Sequence, residues 1–157
     1  MTPTEIRPAA GPKDIEEAKR LFEEYSRWLG IDLSFQNFAE ELQRLPGDYA
    51  PPEGVLLLAR SGEAIAGCVA VRRIDGPRCE MKRLFVRVGF QGMGVGERLA
   101  RAAVDWARGA GYARMLLDTL PPMRSAHRLY ERLGFKEIEP YRFNPVPGAR
   151  YLSIDLT

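Results

Sequence analysis

The chain has 157 residues, 45% of them hydrophobic and 28% charged, with a formal net charge of +2 at pH 7. That length suits one domain with a sizeable core, and so small and interspersed a charge argues against a nucleic-acid binder with a basic face. No apolar run approaches the roughly 20 residues of a membrane span, and the acids in the opening MTPTEIRPAAGPKDIEE argue against a secretory or transit segment.

A short strand, about Glu5 to Pro8, comes first. Asp14, with Glu17 three residues later, reads as a capping box, and Ile15, Ala18, Phe22, Tyr25 and Leu29 follow at helical spacing. Ser34 is placed to cap a second helix whose Phe35, Phe38, Leu42 and Leu45 form one stripe, stopped by Pro46-Gly47. After the loop PGDYAPPEG, the runs VLLLAR and AIAGCVAVRRI flank Ser61-Gly62 and read as an antiparallel hairpin. A turn near Gly76-Pro77 leads to the strand CEMKRLFV. Val95, Leu99, Ala103 and Trp106 then mark a helix ending near Gly109 to Gly111. The strand RMLLDT, a Pro-Pro break and a helix with Ala126, Leu129, Tyr130 and Leu133 on one face follow, with Gly134 as its C-cap. The strands FKEIE and RYLSIDL close the chain. The order β α α β β β α β α β β fits an α/β sheet with helices on both faces, in one domain over residues 1–157.

Cys68 and Cys79 lack CxxC spacing, and His127 is the only histidine, so no metal site is expected. Both thiols read as reduced and structural, in a cytoplasmic protein.

The stretch that leads into the third helical segment carries the chemistry. An apolar run from Leu84 to Val88 stops at Gly89, and glycines return at 92, 94 and 96 just as a helix begins. A helix N-terminus offers unsatisfied N–H groups and the positive end of its dipole, and glycines let an anion touch the backbone there. A tight turn with close helix–strand packing would use the same glycines. A Walker A loop is excluded, because Gly96 is followed by Glu97-Arg98 rather than Lys-Ser/Thr. A Rossmann fingerprint has GxGxxG spacing where this chain has GxGxG, although Asp118 lies near the place of a ribose-binding acid.

The segment QGMGVG, residues 91–96, resembles the Q/R-x-x-G-x-G/A signature of the GNAT superfamily of N-acetyltransferases. MKRLFVRVGF resembles that family's central strand, and AHRLYERLGF, from Ala126, is similar to its A-x-x-L-Y-x-x-x-G-F helix. The resemblance covers nearly the whole chain and implies a mixed, mostly antiparallel central sheet. It also implies acetyl-CoA as co-substrate, no metal, and an amine acceptor on a small molecule or a peptide. Nucleic acid and membrane are not implied as partners, and a homodimer is left open. Where many members carry Asn three residues before the Ala of the second motif, this chain has Met123, which cannot supply the same hydrogen bonds.

By the same resemblance Gln91, Gly92, Met93, Gly94, Val95 and Gly96 would grip the pyrophosphate. Leu84, Phe85 and Val86 would pair their backbone with the pantetheine arm, and one of their N–H groups would meet the oxyanion. An alkyl ammonium must lose its proton before it attacks; Glu80, just upstream on the strand, is the candidate base. Tyr130 falls on the family's tyrosine and is the candidate acid for the leaving thiolate, although its place on an apolar stripe also suits a core residue. His127 is expected at the surface. On the acceptor side the first two helices and PGDYAPPEG should form a roof opposite YRFNPVPGA. Trp28, Phe35, Phe38, Tyr49 and Tyr141 would be its aromatics, and Asp32, Asp48 and Glu80 would meet a cation. Direct attack in a ternary complex follows from the lack of a suitably placed cysteine. A non-catalytic acyl-CoA-binding regulatory module of the same fold is the alternative.

Overall fold

Alternation decides the architecture. Runs such as VLLLA are apolar on both sides of the strand, so the sheet they join must be covered on both faces. The computed structural model describes residues 4–34, 37–121 and 123–157. Its strands are β1 (Thr4–Pro8), β2 (Val55–Ser61), β3 (Ala64–Asp75), β4 (Arg78–Val86), β5 (Arg114–Thr119), β6 (Lys136–Glu137) and β7 (Arg150–Asp155). The helices are α1 (Gly11–Leu29), α2 (Phe38–Arg44), α3 (Val95–Gly109) and α4 (Arg124–Leu133). The sheet runs β1-β2-β3-β4-β5-β7-β6. β4 and β5 are parallel, and the other neighbours are antiparallel. The expected element order and mostly antiparallel sheet are both present.

Two apolar layers result. Ala18, Leu21, Phe22 and Tyr25 of α1 pack on Leu56, Leu58, Cys68 and Ala70. Leu99, Ala103 and Ala107 of α3, with Leu129 of α4, pack on Val55, Leu57, Val69 and Val71. Burying each such Leu, Val or Phe contributes about 1.5–3 kcal/mol. Among the described residues no helix is long and apolar enough to cross a membrane. No group of three or more His, Cys, Asp or Glu there is placed to hold a metal ion.

Local details differ from the sequence reading. α1 starts at Gly11, with Pro12 in its first turn, so Asp14 is not the N-cap. Its carboxylate instead accepts the Ala10 N–H at 2.8 Å and pairs with Arg60, because proline is well suited to a first turn and draws the helix start forward. α2 follows Asn37, which is left-handed at φ 55. Ser34 lies before it, with its N–H bonded to Asp32 Oδ1 at 2.9 Å. Phe35 lies outside the described residues. β6 is two residues long rather than FKEIE, although Ile138 N–H still reaches Tyr151 O at 2.8 Å.

Candidate active site

The site grows from an irregularity in β4. While β3 advances from Cys68 to Ala70, β4 goes from Phe85 to Lys82, one residue more. This β-bulge places Arg83 at φ 62, a left-handed conformation that costs an L residue about 1–2 kcal/mol. Glu41 of α2 holds the strained residue with a two-pronged ion pair at 2.8 and 2.9 Å, and the guanidinium lies over the Phe38 ring at 5.1 Å. Gly67 of β3 permits the close approach, since a Cβ there would meet Phe85 O at 2.4 Å. Beyond the bulge, Leu84 joins the α3 layer and Phe85 the α1 layer.

β4 also parts from β5. Their pairing stops at Glu80↔Leu116, yet β4 continues to Val86 and β5 to Thr119. Arg87 N–H is bonded to Ala66 O on β3. By strand alternation Leu84 and Val86 therefore turn their N–H and C=O groups to the opposite, open edge. A cavity of about 460 Å³ runs along that edge, lined by Leu84, Phe85, Val86, Met123 and Ala126, and ends at the glycines.

After β4 a single tight turn, Val88–Phe90, delivers the chain to the start of α3 at Val95. Gly92 and Gly94 have φ of 80 and 78, and a Cβ on either would meet nothing within 4 Å. Their glycine identity therefore answers to backbone angle and to the open space before them. Gly96 differs: its Cβ would sit in ordinary contact, 3.5 Å from Val86 Cγ2. The ladder of α3 opens with Arg98 N–H on Gly94 O, which leaves the amides of Val95, Gly96 and Glu97 without an intrahelical partner at the cavity. Gln91 Nε2 ties the loop back to Val86 O at 3.2 Å. The Met93 side chain is exposed, so this residue offers the loop its main chain. Glu97, the one acid in the first turn of α3, is neutralised by Arg132 at 3.0 Å.

Where the strands part, the two faces of the sheet meet. Tyr25 of α1 and Tyr130 of α4 line one small cavity of about 20 Å³, with Lys82, Leu84, Asp118 and Met123. Leu84 and Met123 also line the large cavity. Tyr130 is 3% exposed, and its ring lies 5.5 Å from that of Phe135. Burial, reinforced by Tyr25 and Asp118, pushes its phenol above the ordinary range, so it stays protonated. The Met123 sulfur faces the hydroxyls of Tyr25 at 4.0 Å and Thr119 at 3.8 Å.

Glu80 is fully buried. Its carboxylate accepts from Arg72 Nε at 2.9 Å, Arg142 at 2.7 Å and the Tyr141 hydroxyl at 2.5 Å. Burial alone would raise its pKa; Lys82, Arg142, Arg72 and the Tyr141 hydrogen bond together outweigh that and hold it below the usual carboxylate range. Lys82, 7% exposed, has no carboxylate within ion-pairing distance among the described residues. Burial, with Arg83 beside it, brings its ammonium down to about 8, while Glu80 and Asp118 oppose.

The region in which the sequence reading placed the acceptor is thus more cationic than foreseen. Asp48 is exposed and pairs with Arg72 at 3.6 Å, Asp32 is engaged by Ser34, and Glu80 has three donors. Arg142 comes from the loop after β6, which folds back over the sheet: Asn144 donates to Asp118 at 3.1 Å, and Tyr141 stacks edge-on against Tyr151. Trp28, at the end of α1, lies by Phe85 at the mouth of the large cavity. Tyr49 is buried in the α1 layer. His127 is half-buried rather than at the surface, its Nε2 without a hydrogen-bond partner among the described residues, and burial together with the charge of Arg150 lowers its pKa. Lys82 was missed from sequence, although it stands two residues from Glu80 and so on the same face of the strand.

A parted pair of parallel strands feeding a glycine loop and a helix N-terminus defines a protein that can hold an extended, anion-bearing cofactor along an open strand edge, and similarity to known proteins identifies its class. The acetyltransferase (GNAT) family matches residues 16–135. An uncharacterised N-acetyltransferase of Schizosaccharomyces pombe is 41% identical over 148 residues, covering 93% of this chain and 91% of its own length. The chain belongs to the GNAT family and is an acetyltransferase. Its fold is that of a GNAT-family acetyltransferase from Staphylococcus aureus Mu50, with a TM-score of 0.81, 21% identity and coverage of 99% and 100% of the two chains. It is also similar in fold to a Salmonella typhimurium protein described as an acetyltransferase with its cofactor acetyl-CoA, with a TM-score of 0.69, 19% identity and coverage of 98% and 94%.

Proposed function

We propose that the protein transfers an acetyl group from acetyl-CoA to a primary amine by direct attack in a ternary complex. The observation that carries this reading is the open edge of β4, which runs from the parted strands into the glycine loop along one cavity. The acetyl-CoA described with the Salmonella fold neighbour supports the choice of donor. In this reading Gly92, Gly94 and the amides of Val95 to Glu97 hold the pyrophosphate, with Gln91 and Met93 completing the loop. Leu84 and Val86 pair with the pantetheine amides while Phe85 packs beneath, and one of their N–H groups receives the oxyanion as the tetrahedral carbon forms. Tyr130, whose phenol is protonated at neutral pH and lines the cavity beside Leu84, gives its proton to the leaving thiolate.

Glu80 fixes Arg72, Tyr141 and Arg142 as the acceptor wall. Its engaged carboxylate is too weak a base for an ammonium, so the expectation from sequence is not carried into this reading. The acceptor is a small-molecule amine or a peptide amine. Incubation with acetyl-CoA and a panel of amines and peptides, followed by thiol release and product mass, tests the proposal. Stoichiometric thiol and singly acetylated amine are expected. Acetyl-CoA consumption without any acetylated amine overturns it.

A further inference from the structure

Within that amine-acetylation reading, one buried cation has no assigned task. Lys82 lies in the small cavity where β4 and β5 part, and the neighbouring cations are all engaged. Arg72 and Arg142 bind Glu80, and Arg83 binds Glu41. Burying a lysine with no carboxylate in ion-pairing distance is costly, and among the described residues Lys82 bears that cost in the cavity it shares with Tyr130. We propose that Lys82 is the base that takes the acceptor's first proton, through the single water that its cavity is sized to hold, and that Tyr130 is the acid at the other side of the same water.

Geometry supports the pairing. Lys82 and Tyr130 line one cavity of about 20 Å³, roughly the room one water needs. Leu84 and Met123 line both that cavity and the one along the open β4 edge, so the two adjoin. The charged and titratable groups around Lys82 come from every side: Glu80 and Arg83 on β4, Asp118 on β5, Tyr25 on α1, Tyr130 on α4 and Arg142 in the loop after β6. Magnitude favours it over Glu80. With its amine brought to about 8, about one Lys82 in ten is neutral at pH 7, against about one alkyl amine in a thousand. Proton transfer from an ammonium of pKa about 10 to such a lysine is uphill by about 2 pH units, whereas transfer to an ordinary carboxylate is uphill by about 6.

The protons balance. Neutral Lys82 takes one proton from the substrate ammonium, and the freed amine adds to the thioester carbon. As the C–S bond breaks, Tyr130 protonates the thiolate and recovers a proton through the water from the nitrogen that has become an amide. Lys82 then releases its proton to solvent, so ammonium and thioester give amide, thiol and one proton.

The test is the pH dependence of kcat/KM for 2-phenylethylamine, or for whichever amine in the panel releases most thiol, in the wild type, Lys82→Met and Lys82→Arg. The wild type should gain activity through an acid limb near pH 8. Lys82→Met should lose about 10²-fold or more at pH 7, the range of a positioned acid–base group, with its limb displaced toward the free amine's pKa. Lys82→Arg, permanently charged, should not rescue. Acetyl-CoA affinity by calorimetry should be near normal in both variants, which also shows that they fold. Rescue by arginine, or an unmoved limb in Lys82→Met, overturns the inference while leaving the acetyltransferase reading intact. A wild type that acetylates no amine overturns that reading itself, and this inference with it.

Discussion

Replacing Gly94 separates the two jobs a glycine can do at the start of α3. Its φ is 78, yet a Cβ would meet nothing within 4 Å, so Gly94→Val strains the backbone without a clash. The cost of an L residue in that conformation is about 1–2 kcal/mol, which lowers the melting temperature of a chain of this size by about 2–8 °C. Ligand binding should suffer more. The new side chain enters the cavity in front of the Val95 and Gly96 amides; losing two hydrogen bonds to a charged pyrophosphate, at about 1.5–3 kcal/mol each, weakens CoA binding by about 10²–10⁴-fold. Gly96→Ala is the control. Its Cβ would lie 3.5 Å from Val86 Cγ2, an ordinary contact on the strand side. Alanine improves helix propensity by about 1 kcal/mol, so stability should hold or rise and CoA affinity should change far less. Calorimetry and thermal melts on both variants decide the matter. Wild-type CoA affinity in Gly94→Val, or equal losses in both variants, would refute the idea that residues 92–94 open the backbone to an anion.

Tyr130→Phe keeps the buried ring and deletes the hydroxyl, so CoA binding should survive and turnover should fall by about 10²–10⁴-fold. The defect should shrink with an acyl donor whose thiol leaves more easily, and equal defects with both donors would remove Tyr130 from the acid role. Glu80→Gln leaves Arg72 and Arg142 without their shared counter-ion and should cost about 3 kcal/mol in urea melts at pH 7, toward the low end for broken buried pairs because both arginines partly reach solvent. Because Glu80's folded pKa is depressed, its contribution is full above the unfolded carboxylate pKa and is lost as pH falls through the lower folded value. The gap between wild type and Glu80→Gln should therefore close on acidification below about pH 4.5; a pH-independent gap would count against the ionised assignment.

The sequence revealed what periodicity and motif carry. The apolar runs VLLLAR and AIAGCVAVRRI on either side of Ser61-Gly62 marked the hairpin, the 3.6-residue stripe marked α1 and α3, and the glycine spacing located the cavity's end. The β4 bulge left no such mark: Arg83 is not a residue that advertises a left-handed backbone, so the one-residue shift between Lys82 and Phe85 could not be read off the strand. The charge around the expected acceptor side was misjudged for a related reason. Asp48 and Glu80 were legible as acids, but Arg72 on β3 pairs with both and Arg142 reaches Glu80 from the loop after β6, and long-range ion pairs have no local signature. Met123 was recognised as a departure, whereas its sulfur's contacts with Tyr25 and Thr119 depend on two faces of the sheet meeting where strands part.

Residue-resolved amide hydrogen exchange, with and without acetyl-CoA, addresses the open edge of β4 most directly. If that edge takes the cofactor, acetyl-CoA should slow exchange at Leu84 and Val86 and at Val95, Gly96 and Glu97, while Phe85, which by strand alternation faces β3, changes little. Slowing confined to other elements, or uniform slowing across the sheet with no excess at Leu84 and Val86, would contradict the account.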